Sequence, residues 1–376
     1  MYDLIIRNGL IVDGSGEAPF AGAIAVQDGR VAAVGDTIEG DAVQTIDADG
    51  KAVAPGFIDP HTHFDAQLLW DGQARPALAH GVTTIVPGNC SLSLAPLKAK
   101  HREKLVGMFN QIEEMPLKAF AEGVEWNWET FAEYLARISD KLAVNVAPLV
   151  GHSLLRLWVM EDAAMERTAP DTEIQAMADL LRQCLVAGAV GLSTSFVDMD
   201  ETLQPVPSRY ADSRELDALA SVLGEFGRVL QIVPEFYDGD LTVARVDQLA
   251  DLSRKYQIPT TFSPLFVNGD NTSAADKVMA RVDEQFAAGA RVWPQVQTRP
   301  IDISFSFAVP SLLFIRFRGW YQIMRFLDHD GIVAAFSDPA RREALIKEAQ
   351  GLAPLWPRLV LRQVNSAENQ PLVGKT

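Results

Sequence analysis

Gly56-Phe57-Ile58-Asp59-Pro60-His61-Thr62-His63 is the stretch whose reading decides the fold of this chain. The apolar run from Ala52 to Ile58 reads as a buried strand, and two imidazoles follow it at i and i+2. Side chains two apart on a strand share a face, so His61 and His63 converge at the strand's C-terminal end. Two imidazoles so placed suit a metal ion, since zinc takes histidine nitrogen at about 2.0–2.1 Å. A lone His-X-His is a weak signal, because a buried imidazole often does no more than satisfy a carbonyl. The strand before it, Asp65 after it and the ordered pattern downstream give it weight.

Upstream, residues 1–54 read as a small β domain. Tyr2–Ile6, Leu10–Val12, Ala23–Val26 and Arg30–Val34 alternate with turn-forming segments, and Asp28-Gly29 suits a tight type I′ hairpin. Downstream, residues 55–376 change rhythm to strand, loop and helix. Strands are expected at Val53–Thr62, Val82–Pro87, Ala143–Val150, Val190–Ser195, Val229–Pro234, Thr260–Leu265 and Val292–Val296. Helices are expected at Phe131–Ile138, Ile174–Leu185, Leu216–Leu223, Leu241–Leu252 and Ala275–Ala288, preceded by Thr130, Asp171, Ser213, Asp240 and Thr272. Repeated βα units imply an α/β fold, a parallel sheet with helices outside. A (β/α)8 TIM-type barrel needs one strand more than the seven expected here. The nominee for the eighth, Gly331–Phe336, ends in Ser337-Asp338-Pro339, which makes an ordinary helix start.

Composition narrows the function. A hydrophobic fraction of 48% and a charged fraction of 22% describe a soluble globular chain. A net charge of −16 argues against nucleic acid or an anionic membrane as partner. Two cysteines, Cys90 and Cys184, suit a reducing compartment, and with no secretory signal at Met1–Leu4 the expected location is cytoplasmic. Ile301–Phe326 is apolar but broken by Pro310, Arg316, Arg318 and Arg325, so it is not a membrane span.

In a βα barrel the site forms where strands hand over to loops. The polar residues there are His61, His63 and Asp65 after the first strand and Asn89 and Cys90 after the second. His152 follows the third, Ser193–Ser195 end the fourth, Glu235 follows the fifth, and Gln295, Gln297 and Arg299 follow the seventh. A thiolate binds zinc at about 2.3 Å, so beside the two histidines Cys90 reads as a ligand rather than a small core residue. Asp65, Asn89, His152 and Arg299 are candidates for orienting substrate, an arginine being able to grip a carboxylate with two hydrogen bonds. Cys184, His80, His101 and His329 read as packing or solvated positions. The long connection from Ser91 to Trp126 reads either as a lid over the pocket or as packed helices.

These residues resemble a known family. Gly56–His63 resembles the first-strand signature of the amidohydrolase superfamily. Gly81–Pro96, containing Gly88-Asn89-Cys90, resembles the metal-cysteine segment of the D-aminoacylases (N-acyl-D-amino-acid deacylases). Val150–Arg156 and Gly188–Thr194 match further segments of that group, and the likeness runs in order over about residues 1 to 300. It implies an incomplete amidohydrolase barrel beside part of a β-sandwich, with His61, His63 and Cys90 as ligands of Zn2+. It also implies hydrolysis of the amide of N-acyl-D-amino acids, with a small-molecule amide as the partner. The family's two downstream metal histidines would fall near Val233 and Ser263, where this chain has none. Its strand-8 catalytic aspartate is expected beyond Thr376, so no catalytic residue is assigned, and the chain resembles the N-terminal two thirds of such a protein. No lysine ends the fourth strand to bridge two metals, which argues against a hydantoinase-like branch. Two other readings stand beside this one: hydrolysis of another small or cyclic amide, and a silent barrel serving as a binding scaffold. An open barrel edge would expose backbone groups, so a homo-oligomer is a further expectation.

Overall fold

The computed structural model describes residues 1–267, 272–298, 305, 307, 314 and 317–376. Its first five strands form one sheet. β1 (Tyr2–Ile11) pairs antiparallel with β2 (Phe20–Gln27), and β2 with β3 (Arg30–Gly35). β4 (Ala42–Asp47) and β5 (Ala52–Val53) both run parallel to β1. The hairpin expected at Asp28-Gly29 is present, both residues having φ above zero (53° and 70°) as its turn type requires. Tyr2–Ile6 and Leu10–Val12, expected as two strands, merge into β1 with an irregularity between Ile6 and Gly9. β4 escapes the alternation test because Gln44-Thr45 interrupts its apolar positions.

The stretch Ala52–Ile58 is not one buried strand. Pro55-Gly56 divides it, so Ala52-Val53 finishes the first sheet and β6 (Phe57–Asp59) begins the second. Phe57 and Ile58 are 66% and 65% exposed, because β6 is an edge strand paired only with β7 (Val82–Ile85) among the described residues.

β7 pairs in turn with β8 (Asn145–Val146), and a second parallel sheet runs in chain order through β9 (Leu149–Gly151), β10 (Gly191–Ser195), β11 (Val229–Val233), β12 (Thr260–Phe262) and β13 (Val292–Pro294). β8 and β9 are one barrel strand interrupted at Ala147-Pro148. Ala147 N donates to Ile85 O, Leu149 N donates to Pro87 O, and Pro148 O accepts from Val190 N, so this backbone bridges β7 and β10. Seven barrel positions result, matching the seven expected strands.

The outer layer and connections comprise α1 (Arg75–Leu78), α2 (Arg102–Ile112), α3 (Leu117–Gly123), α4 (Phe131–Ile138), α5 (His152–Met160), α6 (Asp171–Ala187), α7 (Ser213–Phe226), α8 (Gly239–Tyr256) and α9 (Ser273–Ala287). Thr130 and Glu133 form a reciprocal capping box on α4. α7 and α8 start from Asp212 and Asp238, each accepting two backbone N–H groups. Leu181 of α6, Leu219 and Leu223 of α7 and Leu249 of α8 are buried with Leu192, Leu230, Phe262 and Val292 of the strands in one core. Each buried side chain of this size contributes about 1.5–3 kcal/mol, enough to hold short strands in register.

The C-terminal part adds α10 (Arg318–Phe326), α11 (His329–Ser337) and α12 (Pro339–Ala349). Gly331–Phe336 is therefore helical and not an eighth strand. Asp338 accepts from Ala340 N at 2.8 Å and caps α12, with Pro339 in the first turn. No eighth barrel strand occurs among the described residues, and no described helix is long and apolar enough to cross a membrane.

Candidate metal centre

Two short loops build the centre. The first leaves β6 as Pro60-His61-Thr62-His63 and is tied to the neighbouring strand by Thr62 N donating to Val86 O at 3.1 Å. The second leaves β7 as Gly88-Asn89-Cys90-Ser91, with Gly88, Cys90 and Ser91 all at positive φ (87°, 54° and 65°). A Cβ at Gly88 would lie 2.3 Å from Leu149 O, so only glycine fits there. Left-handed conformations at Cys90 and Ser91 cost about 1–2 kcal/mol each and need external support. Ser91 N donates to Ser193 Oγ at 3.1 Å, Ser91 Oγ accepts from Ser153 N at 2.9 Å, and Gly88 N donates to Asp65 Oδ2 at 3.2 Å. Held this way, the loop turns the Cys90 side chain toward the histidines.

Cys90 Sγ lies 3.3 Å from His61 Nε2 and 3.6 Å from His63 Nε2. The potential ligand atoms of His61, His63 and Cys90 all fall within 4.8 Å of one another. Bonds of about 2.0–2.1 Å to nitrogen and 2.3 Å to sulfur at a tetrahedral angle separate N and S by about 3.5 Å, so the spacing fits a single ion. His61 Nδ1 meets Gln295 Oε1 at 2.8 Å. That oxygen only accepts, so Nδ1 carries the proton and the Nε2 lone pair faces the sulfur. His63 Nδ1, Asn89 Oδ1 and Asp198 Oδ2 are buried without a hydrogen-bond partner.

The electrostatics point the same way. Burial lowers both imidazoles below their usual range, His63 to about 3, with His61 adding to that shift. Burial pushes the Cys90 thiol well above its usual range, and Glu113, Asp198 and Asp65 add to the shift. Burial also raises Asp65 to about 7, Glu113 to about 8 and Asp198 to about 6. Without a cation the centre holds neutral imidazoles, a protonated thiol and carboxyls that resist ionising. A divalent ion would reverse each preference, because it favours the thiolate and carboxylate forms. The donor set fits such an ion.

The other expected site residues lie elsewhere in this arrangement. Asp65 and Asn89 are 1% and 0% exposed. Asp65 holds Gly88, and Asn89 Nδ2 donates to Val86 O at 2.7 Å, so both brace the cysteine loop and neither offers surface to a substrate. His152 is 1% exposed, with Nδ1 2.9 Å from Thr194 Oγ1 and Nε2 2.7 Å from Glu215 Oε1. Its ring is fully engaged and borders a separate cavity of about 370 Å³ with Phe196, Arg209, Glu235 and Arg245. Arg299 lies outside the described residues.

Glu113 joins the centre although no strand-end position marks it. It follows α2, and its Oε1 stands 3.2 Å from His63 Nε2. The connection from Ser91 to Trp126 is packed rather than lid-like: Phe109, Phe120 and Trp128 are 0%, 2% and 3% exposed and join a chain of ring contacts through Trp126.

The family model for the amidohydrolase family matches residues 44–264, more than half of the chain. A D-aminoacylase of Alcaligenes xylosoxydans xylosoxydans is 34% identical over 263 residues, covering 70% of this chain and 50% of that protein. An N-acyl-D-aspartate deacylase of the same organism is 38% identical over 228 residues, covering 60% and 42%. Among solved structures, the N-acyl-D-glutamate deacylase from Bordetella bronchiseptica, complexed with zinc and a phosphonate inhibitor, superposes with a TM-score of 0.63 at 29% identity, covering 80% of this chain and 59% of that one. The chain spans about half the length of the curated relatives it matches. It belongs to the amidohydrolase family, within its D-aminoacylase group.

Proposed function

We propose that these residues form the metal-binding part of a hydrolase that cleaves the amide bond of N-acyl-D-amino acids, with His61, His63 and Cys90 holding zinc. The observation that carries the reading is the convergence of His61 Nε2, His63 Nε2 and Cys90 Sγ within bonding reach of one point. The likeness to deacylases of N-acyl-D-amino acids supports the substrate class.

When bound, zinc would lower the pKa of a coordinated water and polarise the scissile carbonyl. The protein's own groups set the stage for that chemistry. Gln295 fixes the ring of His61 by accepting from Nδ1. Asp65 and Asn89 keep the cysteine loop in its left-handed turn. Asp198 has a buried oxygen with no partner, a carboxyl raised to about 6, and lies near enough to Cys90 to push its thiol upward. This suits it to hold and release a proton at the centre.

Metal analysis of the purified chain after metal-replete expression tests the proposal. About one zinc per chain, lost in His61→Ala and in Cys90→Ala, is expected. A metal-free protein would favour the scaffold reading instead. Hydrolysis of a panel of N-acyl-D- and N-acyl-L-amino acids then tests the substrate class.

A further inference from the structure

Three protein ligands and a coordinated water fill a tetrahedral ion, so any further protein donor raises it to five-coordinate. Among the described residues the far barrel strands offer no imidazole for that place. Val233 ends β11, and Ser263 directly follows β12. These are the places where the family resemblance leads one to expect imidazoles. A carboxyl does meet the side chain of a proposed ligand: Glu113, delivered by the long connection and not by a barrel strand.

Its position is specific. Glu113 Oε1 lies 3.2 Å from His63 Nε2, the same nitrogen that stands 3.6 Å from Cys90 Sγ. Sulfur and carboxylate oxygen thus approach one ring atom. Two ligands of a single zinc, with bonds of about 2.0–2.2 Å, are separated by about 3.0–3.5 Å, which includes the observed N···O distance. Both side chains are 18% exposed, so water competes little for either. The helix behind Glu113 is anchored. Met108 and Phe109 of α2 are fully buried, and Gln111 Oε1 accepts from Tyr321 Oη at 2.8 Å, fixing the last turn of α2 against α10.

We propose that Glu113 is a further oxygen donor to the His61, His63 and Cys90 centre, beside the coordinated water, in place of the imidazoles missing at Val233 and Ser263. In the metal-free arrangement the carboxylate takes the proton face of His63. Its oxygens stand outside the 4.8 Å group of His61, His63 and Cys90, so the carboxylate would have to rotate toward the ion, with the His63 proton passing from Nε2 to the unpartnered Nδ1. The inference rests on the three-ligand reading above, and the two can fail separately.

The test uses the full chain loaded with Co2+, whose visible absorption reports ligand number and type, together with zinc affinity by chelator competition. Glu113→Gln keeps size and hydrogen bonding while removing the anionic donor, and Glu113→His restores a donor of another kind. For Glu113→Gln the expected result is an unchanged sulfur-to-cobalt charge-transfer band, altered ligand-field bands and at least 10-fold weaker zinc binding. Glu113→His should recover much of the affinity. Ligand-field bands and affinity identical to wild type in Glu113→Gln would overturn the Glu113 assignment and leave the three-ligand centre standing. Failure of wild type to bind Co2+ or zinc would overturn both. Circular dichroism of the metal-free variants checks the fold. Should Glu113→Gln not fold, Glu113→Asp, with its carboxylate withdrawn by one methylene, takes its place under the same criteria.

Discussion

Two buried clusters of titratable side chains sit beyond C-terminal ends of barrel strands, one after β9 and β10 and the other after β6 and β7, and they differ in how completely the protein satisfies them. In the first, His152, Arg156 and Glu215 are 1%, 0% and 0% exposed, and every group has a partner. His152 is held between Thr194 and Glu215, Arg156 Nη1 pairs with Glu215 Oε2, and Arg156 Nη2 donates to Arg167 O at 2.7 Å. The carboxylate faces an arginine and an imidazole, so its charge is answered within the chain. In the second, around His61, His63 and Cys90, three carboxyls are pushed upward and three buried polar atoms have no partner. A closed cluster of this kind is structural. An open one of similar burial is short of something, and here the donors present say that it is a cation.

Breaking the closed cluster should give the largest effect. Arg156→Met leaves Glu215 charged and buried without its guanidinium, a loss of about 3–5 kcal/mol, measured as a shift in the urea midpoint. The open cluster should respond to an added ligand instead. Zinc at about 100 times its dissociation constant should stabilise the wild-type chain by about 2.7 kcal/mol. It should leave Cys90→Ala nearly unmoved, as thermal melting would show.

Acidity separates the clusters by sign. Burial alone would raise Glu215, but hydrogen bonds and charges from His152 and Arg156 together hold it below its ordinary value. Its contribution is therefore present above about pH 4.3 and is lost as pH falls through the lowered value. Asp65, Glu113 and Asp198 are raised to about 7, 8 and 6. Their contribution is full below the ordinary carboxylate range and is lost as pH climbs through those values. Metal-free protein should thus weaken between about pH 4 and 8, and zinc should flatten that slope; a profile already flat without metal would count against an open cluster. The smallest effect concerns packing away from both sites. Trp128→Phe removes the indole N–H donated to Leu94 O at 2.9 Å, with a cost of about 1 kcal/mol and no change in metal content.

The residues legible in the sequence share a property: each sits within a few positions of a strand end. His61, His63 and Cys90 follow β6 and β7, and the apolar runs leading into them are enough to locate those strands. Glu113 belongs to the same centre but lies inside a connection, where nothing in hydrophobic periodicity fixes direction. Asp198 follows β10 by three residues, just past the Ser193–Ser195 segment that the sequence reading singles out. Glu215 is hidden differently. It lies in the first turn of α7, where an acidic residue is ordinarily explained by the helix dipole, and only the fold reveals His152 and Arg156 beside it. The same limit explains His152, whose place after a strand suggests substrate contact although its ring turns to Thr194 and Glu215. Phe57 and Ile58 are exposed against expectation because an apolar run cannot say whether its strand has neighbours on both sides.

Among the described residues β6 is hydrogen-bonded only to β7, and β13 only to β12, yet His61 beyond the one reaches Gln295 beyond the other. That single imidazole–amide clasp spans the slit in the cylinder wall. An ion drawing His61 inward would pull on the clasp, so loading the centre and tightening the slit belong to one equilibrium. Amide-hydrogen exchange along Phe57–Asp59 and Val292–Pro294 should then slow together when zinc is added.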